Sequence, residues 1–103
     1  GEAAVRALRE SGGSGVTVTD ADILAAIGEL ARGSGVFAEP AAAATWAGLK
    51  QAARRGLLDP AWRVVALVTG NGLKDVAAAM KAAGEPRVIP PDPSVLDTLF
   101  PDG

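Results

Sequence analysis

Apolar residues recur with helical spacing in the stretch that follows Thr19. The apolar positions fall at i, i+1, i+4, i+7 and i+8, the stripe of an amphipathic helix, and are occupied by Ile23, Leu24, Ile27, Leu30 and Ala31. Thr19, with Asp22 three residues later, is close to a capping box, and residues 33–35 (GSG) supply a helix stop. The same reasoning predicts helices at residues 1–10, 41–55 and 73–83, and a final helical turn capped by Ser94.

Short β-branched and apolar runs separate these helices. Residues 64–68 (VVALV) form an unbroken apolar run of strand length, as expected for the centre of a parallel sheet covered on both faces. Shorter runs at residues 16–18, 36–38 and 87–89 predict three further strands. The alternation predicts an α/β fold of helices and short, mostly parallel strands, with residues 1–103 forming a single unit.

The segment after Pro40 is apolar almost all round. Proline is favoured at the first helical position, and residues 41–49 (AAAATWAGL) have no polar face, which predicts a buried helix. Hydrophobic residues make up 49% of the chain. This composition fits a piece that lies against more protein, and the alternative is an ordinary alanine-rich domain.

Charge and composition exclude several function classes. The net charge is −2 and aromatic residues are 4%, so neither a basic stripe nor a set of stacking platforms is present for nucleic acid. The apolar runs are too short to predict a membrane span. Cysteine and histidine are both absent, which excludes disulfides, the usual zinc sites and Ser-His or Cys-His nucleophiles. The absence of cysteine agrees with a cytoplasmic protein.

Two strand-to-helix junctions are candidate ligand sites, because ligands of open α/β sheets bind beyond the carboxyl ends of the strands. They are residues 38–40 (AEP) and residues 69–72 (TGNG). In the second, two glycines would let a ligand approach the backbone just before a helix begins, and the alternative is a tight turn. A dinucleotide site is disfavoured, because Asp75 occupies the place of the third glycine. Asp20, Asp22 and Glu29 could suggest a metal site, but Asp20 and Asp22 are better explained as carboxylates at the start of a helix.

Several segments, in order, resemble the C-terminal third of the threonine synthase family. They are residues 7–13 (ALRESGG), 18–20 (VTD), 35–41 (GVFAEPA), 67–75 (LVTGNGLKD) and 87–93 (RVIPPDP). The resemblance implies part of the larger domain of a fold-type II enzyme dependent on pyridoxal phosphate. It implies a carbon–oxygen lyase of threonine biosynthesis, which converts O-phospho-L-homoserine and water into L-threonine and phosphate.

The resemblance also implies cofactor-binding residues. In that family a hydroxyl residue at the start of the TGNG-like loop hydrogen-bonds the pyridine nitrogen of the cofactor, and Thr69 matches this position. Glu39 lies where a related segment lines the pocket, and Asn71 is expected to position the loop. Thr69, Glu39 and Asn71 are therefore the predicted cofactor-binding residues, and no residue of the chain is predicted to be catalytic.

The chain departs from that family in what it lacks. The lysine that carries the cofactor lies in an S-F-K-D-type motif, which is absent here, and the lysines present are Lys50, Lys74 and Lys81. The resemblance therefore implies a C-terminal piece, inactive by itself, whose partners are the remainder of the enzyme and the phosphorylated substrate. It is also compatible with a homodimer. The alternatives are another fold-type II enzyme, such as a threonine or serine dehydratase, and a non-catalytic binding or assembly module.

Overall fold

The structure, a computed structural model, describes residues 1–101, and the regular elements within this range are helices joined by irregular segments. The last two positions of the predicted 1–103 unit lie outside the described residues. The helices are α1 (Glu2–Glu10), α2 (Asp20–Ser34), α3 (Pro40–Arg54), α4 (Val76–Ala83) and α5 (Ser94–Leu99), with a 3-10 turn at Gly72–Lys74. Within these residues, no helix combines the length and apolar character that crossing a membrane requires.

Helix α2 has the ends that the sequence predicts. The Thr19 hydroxyl accepts from the backbone N–H of Asp22, and the Asp22 carboxylate accepts from the backbone N–H of Thr19, which completes the capping box. The Thr19 hydroxyl also donates to the Asp22 carboxylate at 2.7 Å, and this hydrogen bond, followed by the one from the Thr19 backbone N–H, lowers the pKa of Asp22 below its ordinary value. Gly35 ends the helix in the left-handed conformation, with φ of 72°. Asp22 is thus a capping residue, as expected.

The core is formed mainly by alanines of α2 and α3. Its buried residues are Ala26, Ile27, Ala38, Ala42, Ala43 and Ala47. Because alanine projects only a methyl group, the two helix backbones can approach closely. Partly buried side chains surround this core and include Val18, Ile23, Leu24, Leu30, Trp46, Val68, Ala78 and Ala82. Helix α4 contributes two of these side chains, so α2, α3 and α4 pack together.

The predicted alternation of helices and strands is not confirmed. Among residues 1–101 no strand is formed, and the β-type pairing there is a single antiparallel bridge between Ala38 and Asn71. Two of the segments predicted as strands, residues 64–67 and 87–89, expose their apolar side chains instead, with Val65 82%, Leu67 71% and Val88 98% exposed. The physical reason is that a strand exists only beside another strand that pairs with its backbone N–H and C=O groups. No such neighbour is provided by residues 1–101.

Helix α3 is buried on one side only, which corrects the prediction of a helix buried all round. A second side, with Thr45, Gly48 and Leu49, lines an apolar cleft of about 600 Å³. Residues 64–66 form another part of its wall, and the Thr45 hydroxyl donates to the Leu67 carbonyl at 3.2 Å. The segment predicted as the central strand, residues 64–68, therefore lies alongside α3, and a cavity remains between the two.

The helix predicted at residues 73–83 is divided at Asp75. The Asn71 side chain accepts from the backbone N–H of Leu73 at 2.9 Å and caps the 3-10 turn. Asp75 has φ of −137°, outside the helical region, and its carboxylate accepts from the backbone N–H of Ala78 at 2.9 Å. Two side-chain caps in close succession thus replace one continuous helix.

Glu29 joins α2 to α3 through a polar cluster at the edge of the core. Its carboxylate accepts from the Trp46 indole N–H at 2.8 Å and forms an ion pair with Lys50. The hydrogen bond from Lys50, and then that from Trp46, lower the pKa of Glu29 below its ordinary value of 4.5. This carboxylate was a candidate metal ligand in the sequence, and the structure gives it two partners within the chain.

This cluster predicts a pH-dependent signal from Trp46. Because the folded pKa of Glu29 is depressed, its contribution to the stability of the α2–α3 contact is fully present above pH 4.5 and is lost as the pH falls through the folded pKa. With Trp62→Phe leaving one tryptophan, Trp46 fluorescence is expected to be constant above pH 4.5 and to change below it. Glu29→Gln should remove this transition. An unchanged transition in the glutamine variant would show that another group causes it.

Candidate functional site

The two junctions singled out in the sequence meet in the structure. The backbone N–H of Glu39 donates to the Gly70 carbonyl, and that of Gly72 donates to the Phe37 carbonyl, each at 3.0 Å. Ala38 and Asn71 lie opposite each other between these two bonds. The start of α3 and the loop before α4 therefore form one site, although they are far apart in the sequence.

Gly70 and Gly72 make this close approach possible. A Cβ atom at Gly70 would overlap the carboxylate of Glu39, and one at Gly72 would overlap the ring of Phe37. The space that these glycines leave is occupied by side chains of the same chain. This differs from the expectation that both glycines serve to admit a ligand to the backbone, and it explains why neither position accommodates a larger residue without a shift.

Glu39 forms the charged part of the site. Both of its carboxylate oxygens lie 3.3 Å from Lys74 Nζ, and the Glu39 side chain is only 17% exposed, against 66% for Lys74. Glu39 is the N-cap residue of α3, but its side chain makes no capping hydrogen bond to that helix. The carboxylate is therefore directed to the second junction. The sequence around Lys74 did not predict this ion pair.

Thr69 and Asn71 differ in how they are used. The Asn71 side-chain oxygen caps the 3-10 turn, which fits its predicted role in positioning the loop. Thr69 is exposed, and the side-chain hydrogen bonds that this junction makes within residues 1–101 engage Asn71 and Glu39, not the Thr69 hydroxyl. A hydroxyl can both donate and accept, so Thr69 is able to bind a polar atom of a ligand at this loop.

The residues present fit one edge of the cofactor that the resemblance implies. A neutral hydroxyl such as that of Thr69 suits an unprotonated ring nitrogen. Two of the lysines are less suited to bind the aldehyde group of the cofactor, because Lys50 is paired with Glu29 and Lys74 with Glu39. Lys81 lines a cavity of about 280 Å³ beside α2 and α4, whose wall also includes Pro40 and Asp75. Within residues 1–101 the site thus offers a neutral hydroxyl that suits such a ring, while Lys50 and Lys74 are engaged with carboxylates.

The chain is similar to known threonine synthases along most of its length. It is 43% identical to threonine synthase of Methanocaldococcus jannaschii over 97 residues, covering 94% of this chain and 24% of that protein. It is 47% identical to threonine synthase of Halalkalibacterium halodurans over 90 residues, covering 86% of this chain and 25% of that protein. The threonine synthase of Mycobacterium tuberculosis is 44% identical over 90 residues, covering 87% of this chain and 25% of that protein. The chain thus spans about a quarter of the length of these curated relatives.

A family comparison agrees with these similarities. Residues 1–70 match the family described as "Pyridoxal-phosphate dependent enzyme". The matched range contains Glu39 and Thr69, and it ends inside the loop that carries Asn71. Because the match covers more than half of the chain, the sequence belongs to the pyridoxal-phosphate dependent enzyme family.

Proposed function

We propose that this chain is part of a pyridoxal-phosphate-dependent threonine synthase, which converts O-phospho-L-homoserine and water into L-threonine and phosphate. The observation that carries the proposal is 43–47% identity to threonine synthases over most of the chain. Similarity to enzymes of this one activity favours it over a dehydratase and over a non-catalytic module. The 103 residues are expected to be a C-terminal part of that enzyme, and a cytoplasmic location follows from the same proposal.

Thr69 is the residue of the site that we expect to contact the cofactor ring. Pyridoxal phosphate, when bound, supplies an electron sink for reactions at amino-acid carbons. The exposed Thr69 hydroxyl would donate to the pyridine nitrogen, and because the hydroxyl is neutral, the nitrogen would remain unprotonated. Glu39 and Asn71 would shape the pocket wall. Glu39 would do so through its ion pair with Lys74, and Asn71 through the hydrogen bond by which it caps the 3-10 turn.

The remainder of the enzyme is the partner that the exposed apolar segments require. Residues 64–68 are rich in β-branched side chains, and Val65 and Leu67 are largely exposed beside an open cleft. We expect neighbouring strands from that remainder to pair with this segment and with residues 16–18, 36–38 and 87–89. The same part would supply the lysine that carries the cofactor. A homodimer of the complete enzyme is compatible with this arrangement.

Variants at Thr69 in the complete enzyme test the cofactor assignment. Thr69→Val keeps the shape and removes the donor, and a neutral hydrogen bond contributes about 0.5–1.5 kcal/mol, so cofactor affinity should fall roughly two- to tenfold. Thr69→Ser should be nearly neutral. Thr69→Asp should favour the protonated ring nitrogen and shift the absorbance of the bound cofactor, because a carboxylate stabilises a neighbouring positive charge. Equilibrium titration with pyridoxal phosphate and threonine turnover are the measurements.

Thr17→Val is the matched control for this series. Thr17 is also exposed and is remote in sequence from both junctions, so the same change there should leave cofactor affinity unaltered. If Thr69→Val binds the cofactor and makes threonine as well as the unmodified enzyme, Thr69 is only a turn residue and the assignment is wrong.

A further inference from the structure

Lys74 is the only cation paired with a carboxylate of the candidate site within residues 1–101. Its Nζ is equidistant from both oxygens of Glu39, at 3.3 Å, and the two residues are 35 positions apart in the sequence. The Lys74 side chain stays 66% exposed, and an ion pair open to solvent on one side typically contributes about 1 kcal/mol or less to stability, so overall stabilisation is a weak reason for the contact. Its position points to another role.

Within residues 1–101, Lys74 is the residue that donates a hydrogen bond to the Glu39 carboxylate. The carboxylate does not cap α3, although Glu39 is the N-cap residue, and it occupies the space that a side chain at position 70 would fill. The backbone of the same residue donates to the Gly70 carbonyl. If the carboxylate moved away, the packing over Gly70 would be lost at the point where the two junctions are bridged.

Lys74 is itself held in a defined place. Its backbone N–H donates to the Asn71 carbonyl at 3.0 Å, within the 3-10 turn that the Asn71 side chain caps. Asp75 then starts α4 with its own cap. The backbone at Lys74 is thus fixed relative to residues 70–71, and its ammonium group reaches back to Glu39. The ion pair and the backbone bridge close a ring of contacts around Gly70.

We propose that Lys74 is a positioning residue, which holds the Glu39 carboxylate over Gly70 and so fixes the start of α3 against the loop that carries Thr69. This inference rests on the proposed function, because the loop is a pocket wall only if the cofactor binds there. Lys74 acts through Glu39 and need not touch the cofactor or the substrate itself.

A double-mutant cycle in the complete enzyme tests this proposal. Lys74→Met keeps the length of the side chain and removes its charge, and Glu39→Gln removes the opposite charge. Each is expected to weaken pyridoxal phosphate binding about three- to tenfold, and the double variant should be no weaker than the weaker single variant, because both changes break one interaction. Lys74→Arg, which can still pair with a carboxylate, should restore affinity to within about twofold of the unmodified enzyme.

Hydrogen exchange without the cofactor gives a readout independent of activity. The amides of Glu39 and Gly72 form the backbone bridge, so they should exchange about three- to fivefold faster in Lys74→Met, while the amides of α2 remain unchanged. Lys81→Met is the matched control, since Lys81 is an exposed lysine of α4 that forms no ion pair within residues 1–101. It should alter neither the exchange nor the cofactor affinity.

The outcomes separate this proposal from the proposed function. If the unmodified enzyme binds the cofactor and makes threonine, and Lys74→Met matches it in affinity and in exchange at Glu39 and Gly72, the positioning role is wrong and the function stands. If the unmodified enzyme neither binds the cofactor nor makes threonine, the proposed function fails, and the exchange experiment still decides whether Lys74 holds the bridge. Should Lys74→Met not fold, Glu39→Gln and Lys74→Arg provide the same comparison.

Discussion

Alone, the 103-residue chain is expected to make no threonine and to yield no single pyridoxyl adduct when it is mixed with pyridoxal phosphate and reduced with borohydride. The reason is that a lysine must be placed in a pocket to bind the cofactor in a defined way. Lys50 and Lys74 are paired with Glu29 and Glu39, and Lys81 lies at a different cavity. Mass spectrometry of the reduced protein and a threonine assay are the measurements.

The complete enzyme is the positive control for this experiment. Under the same conditions it should give one stoichiometric adduct, on a lysine outside the 103 residues, together with threonine production. A stoichiometric adduct of the isolated chain at Lys50, Lys74 or Lys81, accompanied by threonine production, would contradict the proposal that this chain supplies only part of the pocket.

Val65→Asp is expected to destabilise the complete enzyme severely. Val65 is 82% exposed in the structure, but its segment reads as a strand covered on both faces, and we propose that the remainder of the enzyme covers it. Burying an unpaired carboxylate is strongly unfavourable, so the free energy of unfolding should fall by about 3 kcal/mol or more. Urea denaturation of the complete enzyme measures this change.

Ala61→Asp serves as the control for the same charge. Ala61 is exposed in the turn that precedes the segment, and its backbone N–H donates to the Asp59 side chain, so a carboxylate there should stay in water and change stability little. If Val65→Asp costs no more than Ala61→Asp, residues 64–68 face solvent in the complete enzyme and the proposed strand pairing is wrong.

The helix ends were predictable because their causes are local. Thr19 and Asp22 form hydrogen bonds with each other within one helical turn, and the Gly35 N–H donates to the Ala31 carbonyl four residues earlier. Pro40 restricts its own φ at the start of α3. The division at Asp75 has an equally local cause, because the Asp75 carboxylate accepts a hydrogen bond from the backbone N–H three residues later and so starts a new helix. The prediction missed this cap because strong helix formers follow Asp75. Strands were not predictable in the same way, since residues 64–68 need a partner strand that residues 1–101 do not supply.

The candidate site was predicted in part. The rule that ligands bind at strand ends selected residues 38–40 and 69–72, and the structure brings them together through a backbone bridge instead of a sheet. Nothing local to Lys74 predicts its pairing with Glu39, because the two residues meet only after the chain has folded. The role of Thr69 at the cofactor comes from the family resemblance and stays a prediction.

The bridge between residues 37–39 and 70–72 has a consequence for the order of folding. Helices α2 and α3 are joined by a short connection, so their contact can form early, soon after both have left the ribosome. The bridge has to close a loop of about 30 residues around α3, which costs more chain entropy and requires residues that are synthesised later. The pairing that creates the candidate site is therefore expected to form after the helical pair, among the last native contacts of this chain.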